Sequence, residues 1–356
     1  MDAVTIGGIV GNVVSVVGVV IVNKWVQQKH GFDFMVFLSF MHFGVTTVGM
    51  RALLHAGLFR YKEASFSGVY KIALGSLGSV GFMNLNLAHN TVGMYQLSKL
   101  ACIPVTLLLQ QTVMGGERAP LAVKLTLVPL MLGMGIATVY DVNVNFVGTV
   151  FATVAVLCTV VAQILTSSTQ ARDARATPAP PRARRALNRV PRVRRLTPRA
   201  SLLPPARPRR RARRRVAQRE LGCDALQLLY HTSPLITLGM LLLSFVFDDW
   251  GGLLEYEWNI PQLRDVLISC GLALGVNISN YLVLGKTSPL TYQVIGHLKT
   301  ISILLLGALL FNKPTSPQSV VGVAIAMGGV VSYTEVKRRI QQHGAATAAP
   351  SGPNKV

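Results

Sequence analysis

The chain has 356 residues, 51% of them hydrophobic and only 14% charged, with a mean hydropathy of +0.45. That balance excludes an ordinary soluble globular domain and points to a polytopic membrane protein. The formal net charge of +21 does not signal a nucleic-acid partner, because residues 171–220 hold eighteen Arg against Asp173 and Glu220, and the rest of the chain carries only +5.

A bilayer core takes about 20 apolar residues per helix. Ten windows meet that length in chain order: 4–23, 33–55, 66–88, 91–113, 121–140, 146–168, 224–247, 263–284, 289–311 and 317–335. The 10-residue alternation of a transmembrane β-barrel is absent. The expected fold is therefore an all-α polytopic membrane protein with ten transmembrane helices. Apolar sequence begins at Val4 with no basic region before it, so the first span is expected to act as its own insertion signal. Cys102, Cys158, Cys223 and Cys270 fall in no metal-binding or redox spacing and read as small core residues.

Short-loop Lys and Arg set orientation. Arg51, Arg60, Lys62, Arg118, Lys286, Lys337, Arg338 and Arg339 follow even-numbered spans. Lys24, Lys29, Arg264 and Lys313 lie on the other side, with the acidic stretch DDWGGLLEYE at 248–257. Both termini are expected in the cytosol. The only glycosylation sequon, Asn277-Ile-Ser279, falls inside a span.

The two halves echo each other. Superposing Tyr95-Gln96 on Tyr292-Gln293 brings Asn84 within one residue of Asn280 and Pro120 onto Pro317. Two successive five-span units must be inverted relative to one another, because five is odd, and inverted repeats of this kind put a transporter's substrate site near the midplane. The expected units are 1–140 and 141–335, the second interrupted at 171–222, with a cytosolic tail at 336–356. Gly7 with Gly11 and Gly271 with Gly275 have the small-residue spacing that permits close helix packing.

Charged residues inside such spans are costly and are candidates for function. In MYQLSKL, Tyr95 and Lys99 are spaced i, i+4 and share a helix face. In TYQVIGHLKT, Tyr292, Gly296 and Lys299 form one stripe and Gln293, His297 and Thr300 the next. Both lysines fall about 12–15 Å into their spans at 1.5 Å per residue, and no acid lies near a span centre to neutralise them. Two readings stand. The lysines clamp an anionic substrate among Tyr95, Gln96, Tyr292, Gln293, Thr300, Asn280 and Asn84; or each is satisfied by backbone carbonyls or water. His297 is either a ligand contact or a satisfied core histidine. Pro104 and Pro289 fit a kink and a helix start. No metal spacing, catalytic triad or phosphate loop is present, so neither an enzyme nor a cofactor is expected.

NLNLAHNTVGMYQLSKLACIPVTLLLQQ at 84–111, VNFVGTVFA at 144–152, QLLYHTSPL at 227–235 and YLVLGKTSPLTYQVIGHLKT at 281–300 resemble the nucleotide-sugar and triose-phosphate translocator family of the drug/metabolite transporter superfamily. The Lys299-Thr300 ending is similar to that family's KT group, which includes plant Golgi carriers of UDP-xylose and of UDP-rhamnose/UDP-galactose. The resemblance implies ten spans, cytosolic termini, a Golgi or endoplasmic-reticulum membrane, and exchange of a cytosolic UDP-sugar for lumenal UMP. It also implies that Lys99 and Lys299 face substrate phosphates. Plastid sugar-phosphate exchangers, the alternative within the family, tend to carry a basic pair where this chain has Lys299-Thr300, and no transit peptide is expected here. Substrate phosphates would neutralise both lysines, whereas an empty carrier would bury two bare cations; obligate exchange is the expected consequence. The sugar and the oligomeric state, a homodimer included, stay open.

Residues 171–222 hold eight of the eighteen prolines beside the eighteen arginines and cannot bury a core. They read as a cytosolic arm for anionic lipid or RNA, or as a gene-model artefact in which a GC-rich intron is read through. The arm also defines a third function class, a non-transporting membrane protein that acts through it.

Overall fold

The computed structural model describes residues 3–112, 119–138, 145–176, 223–310 and 316–348. Those residues form eleven helices. They are α1 (Ala3–His30), α2 (Met35–His55), α3 (Phe66–His89), α4 (Val92–Thr112), α5 (Leu121–Thr138), α6 (Phe146–Ala176), α7 (Ala225–Phe247), α8 (Trp250–Glu255), α9 (Ile260–Lys286), α10 (Pro289–Leu310) and α11 (Pro317–Ala348). Helices are the form available to such apolar segments, because lipid offers the backbone no hydrogen-bond partner. Ten of the eleven coincide with the ten apolar windows; α8 is a six-residue turn in the acidic stretch. Apart from 171–176, which close α6, the Arg/Pro-rich segment lies outside the described residues.

Seven helices (α1, α2, α5, α6, α7, α9 and α11) are long and apolar enough to cross a membrane, counted over the described residues. The chain is a polytopic membrane protein. Large apolar side chains such as Val14, Val48, Leu125, Leu132, Leu242 and Val246 point outward, as lipid-facing residues do.

Local chemistry sets the ends. Asp224 with Gln227 and Asn259 with Gln262 form capping boxes that open α7 and α9. Gly31 and Gly57 end α1 and α2 at φ of 63° and 74°, where a side chain would be strained. At the second, Gly57 N–H donates to Leu54 and Leu58 N–H to Leu53, a Schellman closure. Asp248 accepts from the N–H groups of Val36 and Phe37 at the start of α2; burial nevertheless pushes its carboxyl above the ordinary range.

The principal helix pairings are α5 with α11, α3 with α6, α1 with α9 and α2 with α7. The tightest crossing is α5–α11. A Cβ at Gly133 would lie 2.3 Å from Ala326 N, one at Gly322 2.4 Å from Ala137 N, and one at Gly329 2.5 Å from Leu130 N. The glycine spacings noted in the sequence behave otherwise: Gly7, Gly11 and Gly271 face open space, and Gly275 alone meets a neighbour, Ser15.

Candidate functional site

Helices α3, α4 and α10 meet α5 and α6 around a cavity of about 370 Å³, within the ~300–1,000 Å³ usual for ligand sites. It lies toward the end of the bundle where α3 gives way to α4. Ser79, Met83 and Asn84 come from α3, Tyr95, Gln96 and Lys99 from α4, Met134 and Thr138 from α5, Thr159 from α6, and Gln293, Gly296, His297 and Thr300 from α10. Seven of the ten residues singled out in the sequence, from two segments almost 200 positions apart, therefore line one space.

Lys99 is the cavity's cation. Its ammonium lies 4.1 Å from the centre of the Tyr95 ring, the i, i+4 face-sharing that the spacing implies. Among the described residues no carboxylate pairs with it. His297 is buried at 6% exposure, and among the described residues its Nε2 has no hydrogen-bond partner. Gln293 donates through Nε2 to Gln163 Oε1 at 2.8 Å, and the Ser79 and Thr159 hydroxyls are 2.5 Å apart. A charged donor, an unsatisfied imidazole nitrogen and several amides and hydroxyls thus face a space able to hold an anion with hydrogen-bonding appendages.

The other three residues gather elsewhere. Lys299, 8% exposed, donates from Nζ to Asn12 Oδ1 at 2.9 Å and lies 5.0 Å from the Tyr292 ring. Asn12 Nδ2 donates to Ser279 Oγ and Asn280 Oδ1, both at 2.8 Å, and the Tyr292 hydroxyl donates to the same Asn280 oxygen at 2.8 Å. This closed polar cluster joins α1, α9 and α10 near the end where α9 gives way to α10. The sequence stripe had put Lys299 with Tyr292 and Gly296. Of these, only Gly296 reaches the cavity.

Asn12, Thr138, Thr159 and Gln163 were not singled out from the sequence. A lone polar residue in an apolar run was the available signal for Asn12, but it is equally the signature of simple helix packing.

The comparisons with known proteins fall in the same direction. The model of the Triose-phosphate Transporter family matches residues 226–334. UDP-xylose transporter 1 of Arabidopsis thaliana is 30% identical over 94% of this chain and 84% of its own length. UDP-xylose transporter 2 of the same plant is 31% identical over 93% and 80%. UDP-rhamnose/UDP-galactose transporter 3 is 28% identical over 91% and 80%.

Proposed function

Since the chain belongs to the triose-phosphate transporter family, we propose that it carries a UDP-sugar across a Golgi or endoplasmic-reticulum membrane in exchange for UMP. The cargo is of the UDP-xylose or UDP-galactose/rhamnose type, and both termini face the cytosol. The observation that carries this is the Lys99 ammonium among convergent amides and hydroxyls in one cavity, with no carboxylate beside it among the described residues. A half-buried cation inside a membrane bundle, with no counter-charge beside it, calls for an anionic guest. Asn84, Tyr95, Gln96, Gln293, His297 and Thr300 supply hydrogen bonds for the rest of it, and the relatives of similar length that carry UDP-sugars by name point to the nucleotide sugar as that guest.

The ten long helices are two inverted five-helix repeats, α1–α5 and α6–α11 without α8. Support comes from the principal neighbour relations, which persist when each helix is exchanged for its counterpart, although some smaller contacts of α6 and of α7 with α9 have no such counterpart. Helix α1 packs on α9 as α6 packs on α3, α9 meets α2 as α3 meets α7, and α2–α7, α4–α10 and α5–α11 are pairs of counterparts. Under that relation the α3–α4 and α9–α10 junctions lie at opposite faces of the membrane. One junction borders the cavity; its counterpart holds the sealed Asn12–Lys299–Tyr292 cluster. Alternating access then consists of opening the second while closing the first, with Lys99 and Lys299 as its two anion ligands.

Purified protein tests the substrate class directly. UMP and the cognate UDP-sugar should raise its thermal midpoint in a concentration-dependent way. Stabilisation by triose phosphate and inorganic phosphate but not by uridine nucleotides would replace this assignment with a sugar-phosphate exchanger.

A further inference from the structure

Asn12 is 0% exposed and sits in the middle of an apolar run of α1, yet it makes three side-chain hydrogen bonds, one of them to Lys299. An ammonium has three donors. Here one goes to the Asn12 carboxamide and the charge faces the Tyr292 ring, and among the described residues no carboxylate is paired with it. The carboxamide oxygen is a neutral acceptor, and hydrogen bonds between charged partners are about twice as strong as neutral ones. A phosphate that reached Lys299 would therefore displace it.

Gly296 lies one turn before Lys299 on the same stripe and lines the cavity, and a Cβ built there meets nothing within 4 Å. The cavity is therefore open at the turn of α10 that precedes Lys299, and a phosphate would have to pass Gly296 to reach the ammonium.

We propose that Asn12 is a positioning residue that stands in for the substrate phosphate on Lys299. It holds the ammonium while the carrier is empty and yields it when a nucleotide phosphate arrives. This rests on the UDP-sugar/UMP reading above and adds to it the residue that satisfies Lys299 between substrates. It also moderates the expectation that an empty carrier buries two bare cations: one of the two has a neutral partner. Exchange is strict only as far as that partner is poorer than phosphate.

The opposite charge consequences of two substitutions provide the test. Asn12→Asp neutralises Lys299 permanently, so the Kd of UMP for the purified full-length carrier should rise at least tenfold and uptake into vesicles lacking internal nucleotide should increase relative to exchange. Asn12→Ser shortens the side chain away from Lys299 without adding charge, so the empty protein should melt earlier while its UMP Kd stays level or falls. A purely structural Asn12 would lower the melting temperature in both variants without this split in affinity. Should wild type bind UMP while both variants bind it within twofold of wild type, the stand-in role is wrong and the transport assignment survives. Should wild type bind no uridine nucleotide, both fall together. Gly296→Leu supplies an independent check by filling the open space: UMP affinity should drop, and unchanged affinity would contradict the route to Lys299.

Discussion

Gly133→Ala and Gly135→Ala sit two positions apart on α5 and should act in opposite directions. At Gly133 an added methyl meets Ala326 N at 2.3 Å, Gly322 O at 2.6 Å and Ala326 Cα at 2.8 Å, against ordinary contact at 3.4–4 Å. The deficit is close to 1 Å and every obstacle is backbone, which cannot rotate aside, so α5 and α11 must separate. Overpacking of this kind costs about 1–3 kcal/mol. Glycine-to-alanine in a helix interior returns up to ~1 kcal/mol of propensity, which leaves a net loss of up to about 2 kcal/mol at Gly133. At Gly135 nothing lies within 4 Å, and only the gain applies. The two variants should therefore differ by about 1–3 kcal/mol, read as the order of their thermal midpoints in detergent: Gly133→Ala below wild type, Gly135→Ala level with it or above. Equal midpoints, or the reverse order, would show that α5 and α11 do not cross where the backbone contacts put them.

Three further outcomes are expected. Lys99→Gln removes a charged donor worth about 1.5–3 kcal/mol, so exchange should fall roughly 10–150-fold in kcat/KM, with Lys99→Arg retaining part of it; transport at the wild-type rate would remove Lys99 from the site. His297→Leu eliminates a buried nitrogen that has no partner among the described residues and should raise the thermal midpoint of the empty protein while lowering nucleotide affinity, both read in the same thermal titration. For Asp248, burial holds the carboxyl above its ordinary pKa. The folded state therefore binds that proton more tightly than the unfolded chain does, and stability from this group is lost as pH rises through that range. Asp248→Asn should accordingly gain on wild type in thermal midpoint as pH is raised from about 4, and a gap independent of pH would contradict the burial assigned to Asp248.

Much of the architecture was legible because lipid imposes a length and a polarity on each span. The windows at 66–88, 146–168 and 289–311 match α3, α6 and α10 closely at their starts. The ends were less legible: α1, α6 and α11 run on as helix to His30, Ala176 and Ala348 through polar sequence that carries no membrane signal. The α5–α11 crossing escaped a search for paired glycines because its small residues alternate with alanine, Gly133 with Ala137 and Gly322 with Ala326. In the candidate site the Lys99 geometry was legible, because i, i+4 spacing ties the cation to Tyr95. The surroundings of Lys299 were not legible. Adjacent residues on a helix point about 100° apart, and that rotation alone decides that Thr300 faces the cavity while Lys299 faces Asn12. Sequence spacing fixes which residues share a stripe and leaves open what the stripe touches.

The central assignment is tested most directly by uptake of labelled UDP-xylose, UDP-galactose and UDP-rhamnose into proteoliposomes loaded with UMP, beside matched vesicles loaded with buffer or inorganic phosphate. The account predicts that at least one UDP-sugar enters, that internal UMP accelerates it several-fold over buffer, and that Lys99→Gln abolishes the acceleration. Entry that requires internal phosphate and ignores UMP, or that proceeds equally in the Lys99→Gln protein, would contradict it.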